Sequence, residues 1–492
     1  MVTTMNEEMT AVDSVMKQAQ QAYDVYGALS GAEKAAFLDA IAAAIEARRE
    51  ALVTIAGKET NLPPARLNGE LSRTTGQLKL FGQLLREGSW VEAAIDTANA
   101  TRTPARPDIR KMLVPLGPVV VFGASNFPFA FSTAGGDTAS ALAAGCPVIL
   151  KAHSAHAATS AMVFEAITEA IETTGVPEFT VQHVMGRGNT VGKALVQHPL
   201  TTAVGFTGSF SGGKALCNYS NEREKPVPVF AEMSSINPVV FFPDTLEKNT
   251  AELAKQYAAS ITLGMGQFCT NPGLLLAIES DALEQFIHLL GAEIAAVAPQ
   301  KMLHKGICES YNELREGMLT QQGLEVVATA AQDAHDMEAL PTLARVKAAD
   351  FLANPHFSEE VFGPFSLVIT CQSREQLKQV LAKLKGQLTT TVMATPADLA
   401  EYKDVIKLQQ SLAGRIMINN VPTGVEVCAA MVHGGPYPAT TDARFTSVGL
   451  SSIQRWVRPL CFQNFPDELL PDELKQDNPL SIWRLVDNEW KQ

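Results

Sequence analysis

Apolar residues in the N-terminal part of the chain recur at helical spacing. After Ser30-Gly31-Ala32-Glu33, the side chains of Phe37, Ile41 and Ile45 fall on one stripe. Ser30 and Glu33 have the spacing of a capping box, in which a hydroxyl and a carboxylate each satisfy the other residue's backbone N–H. A second helix is predicted from about Arg66, with Leu71, Leu78, Phe81 and Leu85 near one face. Residues 101–111 hold two prolines and alternating charge, which predicts an extended connector.

From Leu113 the pattern changes to short β-branched runs alternating with Ala-rich helical stretches. Strands are predicted at 119–125, 148–152, 180–185, 203–208 and 227–233, with helices near 136–144, 156–174, 189–197 and 211–220 between them. Strands separated by helices imply right-handed crossovers and a parallel, doubly wound sheet. A helix near 246–263 opens a second α/β region with strands at 273–278, 366–370, 390–395 and 415–419. The tail from Phe465 carries prolines and acids and reads as a docking arm. No internal repeat or low-complexity tract interrupts this order.

Composition narrows the class. The 492 residues suggest about three domains, or two large ones with an extension. Hydrophobic residues make up 46% and charged residues 18%, a balance that argues against disorder. A net charge of -13 disfavours a nucleic-acid partner, since neutralising phosphates needs clustered Lys and Arg. No uninterrupted apolar run reaches the roughly 18 residues of a membrane span. Residues 1–25 lack a basic stretch followed by an apolar core, so a cytoplasmic protein without a membrane partner is expected. Seven scattered cysteines without a CxxC or Cys/His cluster fit reduced thiols, with no structural metal expected.

Four segments could carry chemistry, and each is expected where a parallel sheet presents ligands, beyond the carboxyl ends of its strands. In FGASNFPFAFS, Asn126 can offer its amide to an oxyanion, or simply turn the chain before Pro128. In GFTGSFSGG, Gly208 and Ser209 open a helix whose N–H groups suit a pyrophosphate, or they serve only the turn. Glu232 ends an apolar strand, where it can act as a general base or be an ordinary strand-end carboxylate. Cys269 sits in the Gly- and Pro-punctuated loop GMGQFCTNPG, as an activated nucleophile or an incidental thiol. Taken together they make the set that a thiol-dependent oxidoreductase requires.

With these motifs the chain resembles the NAD(P)-dependent aldehyde dehydrogenase superfamily over nearly its whole length. The resemblance rests on SNFP with Asn126, VILKAHS with Lys151, GFTGS with Gly208 and Ser209, AEM with Glu232, GQFCTNPG with Cys269, and EEVFGPF with Glu360 and Phe362. Longer stretches (RTTGQLKLFG, PTGVEV, MVHGGPYPATT and WVRPLCFQNFPDELLP) look like the 2,5-dioxovalerate (α-ketoglutaric semialdehyde) dehydrogenase branch, which is itself similar to a bacterial NADP-dependent fatty aldehyde dehydrogenase. The resemblance implies a Rossmann-type cofactor domain with the N-terminal helices (1–234), a catalytic α/β domain (235–430), and a return segment with an oligomerisation arm (431–492). The connector 98–115 would join the arm, which would add a strand to a neighbouring subunit in a homodimer or homotetramer.

The resemblance also implies roles. Cys269 attacks the aldehyde, Asn126 and the Cys269 N–H hold the oxyanion, and Glu232 activates water to release the acid. Lys151, Ser154, Arg187, Gly208 and Ser209 would bind the dinucleotide, with Glu360 and Phe362 at the nicotinamide end. Ser154 replaces the Glu of many NAD-preferring relatives, so NADP is favoured, with NAD also accepted. One departure stands out. Where the family usually has Pro-Phe-Gly-Gly, this chain reads Val432-His433-Gly434-Gly435, so His433 lines the aldehyde pocket, for proton transfer, for a polar substrate group, or for packing. A small-molecule aldehyde bearing a carboxylate would need a cation, for which Arg73 and then Arg455 are candidates. Phe127, with Phe129 and Phe131, equally suits a fatty acyl chain. A CoA-acylating enzyme and a non-catalytic binding relative are the rivals from other classes; the base Glu232 counts against the first, and Cys269, Glu232 and Asn126 together count against the second.

Overall fold

The computed structural model describes residues 2–492, with side chains from Thr10 onward. Its N-terminal segment is helical: Val2–Tyr26, Gly31–Ala47, Arg49–Thr60 and Pro64–Glu87. The capping box forms as the sequence predicts. Ser30 Oγ accepts from the Glu33 N–H and the Glu33 carboxylate accepts from the Ser30 N–H at 2.8 Å. The second predicted helix begins at Pro64, and the helix Arg49–Thr60 before it had no clear apolar stripe to announce it.

Five parallel strands follow, in spatial order Val181–Val184, Val148–Lys151, Val119–Phe122, Ala203–Thr207 and Val229–Glu232. Winding reverses between Val119–Phe122 and Ala203–Thr207, leaving a crevice at their carboxyl ends. Alternation along these strands sorts the core. Val119, Val121, Val148 and Leu150 face the N-terminal helices, while Val120, Ile149 and Val204 face Val12, Met16, Leu195 and Leu216. Burial on both faces is why the strands read as unbroken apolar runs.

The chain then crosses into a seven-stranded sheet, parallel except for its Glu325–Thr329 edge. Its central strands are Leu274–Ile278 and Val239–Phe241, and the latter is too short for its periodicity to have been read. The helix predicted near 246–263 spans Pro243–Thr262. Connector and tail meet in a third sheet, where Ile109–Pro115 pairs with Val457–Gln463 and Ala94–Asp96 pairs with Arg484–Val486. A small core of Ile95, Met112, Leu470, Leu474 and Ile482 holds it. These α/β layers, with connector and tail in a sheet of their own, are the architecture the sequence implies, and no described helix is long and apolar enough to cross a membrane.

Ser30→Ala removes one half of the capping box and should lower stability by about 1 kcal/mol. Urea unfolding followed by far-UV circular dichroism checks this, and an unchanged midpoint would contradict it.

Candidate active site

The site lies where the two parallel sheets meet, and two loops create it. The first is 263–273. Gly264, Met265 and Gly266 all adopt left-handed backbone, with φ of 54°, 54° and 63°. A Cβ on Gly266 would stand 2.2 Å from the Gly363 carbonyl, so only glycine allows this approach. Asn237 pins the loop from below, its amide donating to the carbonyls of Cys269 at 2.8 Å and Asn271 at 2.9 Å. Cys269 consequently precedes the strand Leu274–Ile278. It stands at the amino end of its own sheet, which corrects the expectation that all four motifs lie beyond the carboxyl ends of their strands. It still faces the carboxyl ends of the other sheet because the two sheets meet there.

The second loop, 433–447, runs back along the edge strand Val229–Glu232. Met233 donates to the Ala439 carbonyl and Thr441 to the Ala231 carbonyl. This return places His433 against Glu232, the two side chains each only 1% exposed. His433 Nε2 stands 3.0 Å from Glu232 Oε1 and 3.4 Å from Cys269 Sγ. Ser447 donates to Glu232 Oε2 at 2.7 Å, and Thr446 Oγ1 accepts from the His433 N–H at 2.8 Å. Burial alone would raise the Glu232 pKa, but His433, Ser447 and the Cys269 thiol hold it below the ordinary carboxylate range. Burial and then the Glu232 charge push the Cys269 thiol well up, opposed by Arg73. The resting sulfur therefore keeps its proton until a base takes it.

Asn126 lies beside this cluster. Its side-chain amide donates to the Gln267 carbonyl at 3.3 Å, and its backbone carbonyl accepts from Arg66 at 2.9 Å. Aromatic rings wall the approach, with Phe127 5.2 Å from Phe131 and 5.7 Å from Phe268, and Phe131 6.4 Å from His433. Phe129, expected on that wall, instead turns into the N-terminal core. The Arg73 guanidinium lies over Phe131 at 5.4 Å, with its Nε buried and unpartnered. Arg455 is not part of the site. It is 3% exposed and paired with Asp137 at 2.7 Å, so its charge is already neutralised.

Sequence reasoning missed Glu70 and Arg415. Glu70 is buried and accepts the N–H groups of Phe129 and Ala130 at 2.8 and 3.0 Å, fixing the loop that carries Asn126. The signal was present, because Arg66, Glu70 and Arg73 share one helix face by their spacing of four and three. Arg415 ties down residues 422–424 through the Pro422 and Gly424 carbonyls.

The crevice of the first sheet fits a dinucleotide. The helix Phe210–Asn221 starts there with Gly208, Ser209 and Phe210 exposed and no acid in its first turn. A Cβ on Gly208 would meet the Phe206 ring at 2.6 Å, so any larger residue at this turn would have to displace that ring. Lys151 ends its strand half-buried, its pKa lowered by burial, and Ser154 and Arg187 are exposed nearby in sequence and sheet order. Glu360 accepts from Ser234 Oγ at 2.6 Å, and burial raises its pKa to about 7. Phe362 lines the same depression as Glu360.

Three comparisons bear on this geometry. The model of the aldehyde dehydrogenase family matches residues 1–437. The chain is 48% identical over 479 residues to α-ketoglutaric semialdehyde dehydrogenase 2 of Azospirillum brasilense, covering 97% of this chain and 91% of that protein. It is 47% identical over 477 residues to α-ketoglutaric semialdehyde dehydrogenase of Acinetobacter baylyi, covering 96% and 90%. Among solved structures, PnpE from Pseudomonas sp. WBC-3, also seen with nicotinamide adenine dinucleotide, superposes with a TM-score of 0.77 at 22% identity, covering 92% of this chain and 90% of that one. At that identity the likeness concerns the fold.

Glu360 binds its proton more tightly folded than unfolded, so its contribution to stability is present below the ordinary value of 4.5 and lost as pH rises through about 7. Glu360→Gln, which keeps an acceptor for Ser234, should gain on the wild type by up to about 3 kcal/mol between pH 5 and pH 8. Melting curves at both pH values check this; a constant gap would contradict the raised pKa.

Proposed function

The chain belongs to the aldehyde dehydrogenase family, and on that premise we propose that Cys269 is its nucleophile in the oxidation of α-ketoglutaric semialdehyde (2,5-dioxopentanoate) to 2-oxoglutarate. The observation that carries this reading is the contact of a thiol, an imidazole and a carboxylate at the junction of the two sheets. Glu232, within hydrogen-bond reach of the thiol, takes its proton and releases it to solvent before the second half-reaction, and the sulfur adds to the aldehyde carbon. Asn126 and the Cys269 N–H hold the oxyanion. Bound NAD(P) supplies the hydride acceptor. The acyl group is left as a thioester on Cys269, and Glu232 removes a proton from the water that hydrolyses it. His433 spans sulfur and carboxylate, orienting both, and Ser447 keeps Glu232 aimed.

Lys151, Ser154 and Arg187 would hold the adenosine end of the dinucleotide, and Gly208 and Ser209 its pyrophosphate. Glu360 and Phe362 would hold the nicotinamide end. No acid stands at 154 to repel a 2′-phosphate, which supports NADP as the preferred cofactor, with NAD also used. A carboxylate at position 154 would oppose that phosphate by like charge. Ser154→Glu should therefore move the NADP-to-NAD ratio of kcat/KM at least about tenfold toward NAD. An unchanged ratio would overturn the preference.

The substrate follows from Arg73 and from the names of the two relatives. Its buried Nε has no partner, and a substrate carboxylate would provide one. The aromatic wall of Phe127, Phe131 and Phe268 favours a second reading, a medium- or long-chain aldehyde. Comparing kcat/KM for 2-oxoglutarate semialdehyde and decanal separates the two. Arg73→Met should cost about 10–100-fold on the semialdehyde and leave decanal nearly unchanged. Preference for decanal by the wild type would overturn the semialdehyde assignment, and Cys269→Ser retaining oxidation would overturn the mechanism. The open edge of the Val457–Gln463 strand suits pairing with another copy, which fits the homodimer or homotetramer.

A further inference from the structure

We propose that Cys269, His433 and Glu232 also form a binding site for a zinc-class divalent cation, whose occupancy reversibly blocks the sulfur. The three ligand atoms all lie within 4.8 Å of one another. Sγ and Nε2 are 3.4 Å apart, and Nε2 and Oε1 are 3.0 Å apart. Tetrahedral zinc, with bonds of about 2.3 Å to sulfur and about 2.0–2.2 Å to nitrogen and oxygen, spaces its ligand atoms by roughly 3.3–3.6 Å. The donors already stand close to that separation, so small side-chain adjustments admit the ion.

Ligand chemistry selects the metal. A thiolate, an imidazole and a carboxylate suit borderline-soft Zn2+, whereas Mg2+ and Ca2+ require more oxygen ligands than the cluster offers. Three protein ligands leave a fourth position, and Cys269 is only partly buried, so water reaches it. The supporting contacts are in place: Ser447 Oγ on Glu232 Oε2, and Thr446 Oγ1 on the His433 N–H.

Protons balance without redox change. The Cys269 thiol loses its proton to solvent as sulfur binds the ion. The His433 ring must present a bare Nε2, so its ring proton moves to Nδ1. His433 Nδ1 is buried and has no hydrogen-bond partner, so the switch of tautomer breaks no bond there. The hydrogen bond between Nε2 and Glu232 is replaced by two bonds to the metal. With its lone pair engaged, the sulfur is unable to add to an aldehyde. Zinc should therefore inhibit competitively with aldehyde and be reversed by a chelator; this consequence rests on the proposed role of Cys269, but the site itself does not.

Co2+ alone, added to the reduced, metal-free full chain, is the direct probe. One Co2+ per chain is expected, with a thiolate-to-metal charge-transfer band and the intense visible bands of four-coordinate cobalt, all bleached by Zn2+. Cys269→Ser should remove the charge-transfer band, and His433→Gln should weaken Co2+ binding at least about tenfold. A band that survives in Cys269→Ser, or no band in the wild type, overturns the proposal. The wild type gives a check that needs no variant. Zn2+ at about ten times its Kd should slow iodoacetamide modification of Cys269 about tenfold, read by peptide mass spectrometry. Equal modification of Cys269 with and without Zn2+ overturns it. Neither readout uses aldehyde turnover, so failure of the site and failure of the proposed activity are distinguishable.

Discussion

A sulfur, an imidazole nitrogen and a carboxylate oxygen converge 3.4 and 3.0 Å apart between two sheets, and the surrounding backbone is shaped by the need to keep them there. Buried carboxylates are costly unless hydrogen-bonded. Glu232 meets that condition through His433 and Ser447, which arrive on a loop more than two hundred residues later in the chain. The sulfur arrives on a third segment, held by a left-handed turn and by the Asn237 amide. No two of the three are close in sequence. The contact therefore depends on the docking of the two α/β units, and disturbing that docking uncouples them at once.

A second polar arrangement supports the first. Arg66, Glu70 and Arg73 share a face of the helix Pro64–Glu87 and press on the loop that carries Asn126. Glu70 holds two backbone N–H groups of that loop, Arg66 holds the Asn126 carbonyl, and Arg73 is left with a buried unpartnered nitrogen over Phe131. Arg66 Nη1 and Arg73 Nε are both buried without a partner, whereas no Arg455 nitrogen is so left, which is why Arg73 rather than Arg455 is the proposed carboxylate partner. Arg455 shows the opposite case, a guanidinium whose charge Asp137 consumes inside the fold. At the other end of the cleft, the bare turn at Gly208 and Ser209 suits an anion by its exposed N–H groups.

Apolar runs such as VVVF and VILK could be read as strands buried on both faces, because the alternate residues of each run meet helices on opposite sides. The capping box at Ser30 was legible because it is satisfied within four residues. The resemblance of SNFP, GFTGS, AEM and GQFCTNPG to one family named the candidate chemistry, since those residue types in that order occur together for few other reasons. Local pattern failed where the cause was distant. The strand Val239–Phe241 is too short to show a period, and Phe129 faces the core although Phe127 and Phe131 do not.

The sequence by itself determined the layered α/β fold, the family and a set of candidate side chains, because these follow from short-range periodicity and from motifs a few residues long. Only the tertiary structure decided which of those side chains touch. It brought His433 onto both Cys269 and Glu232, placed Cys269 before a strand rather than after one, gave Glu70 its task and withdrew Arg455. The physical reason is that hydrogen bonds and ion pairs act over about 3 Å, a distance that no spacing along the chain encodes for segments joined through two separate sheets.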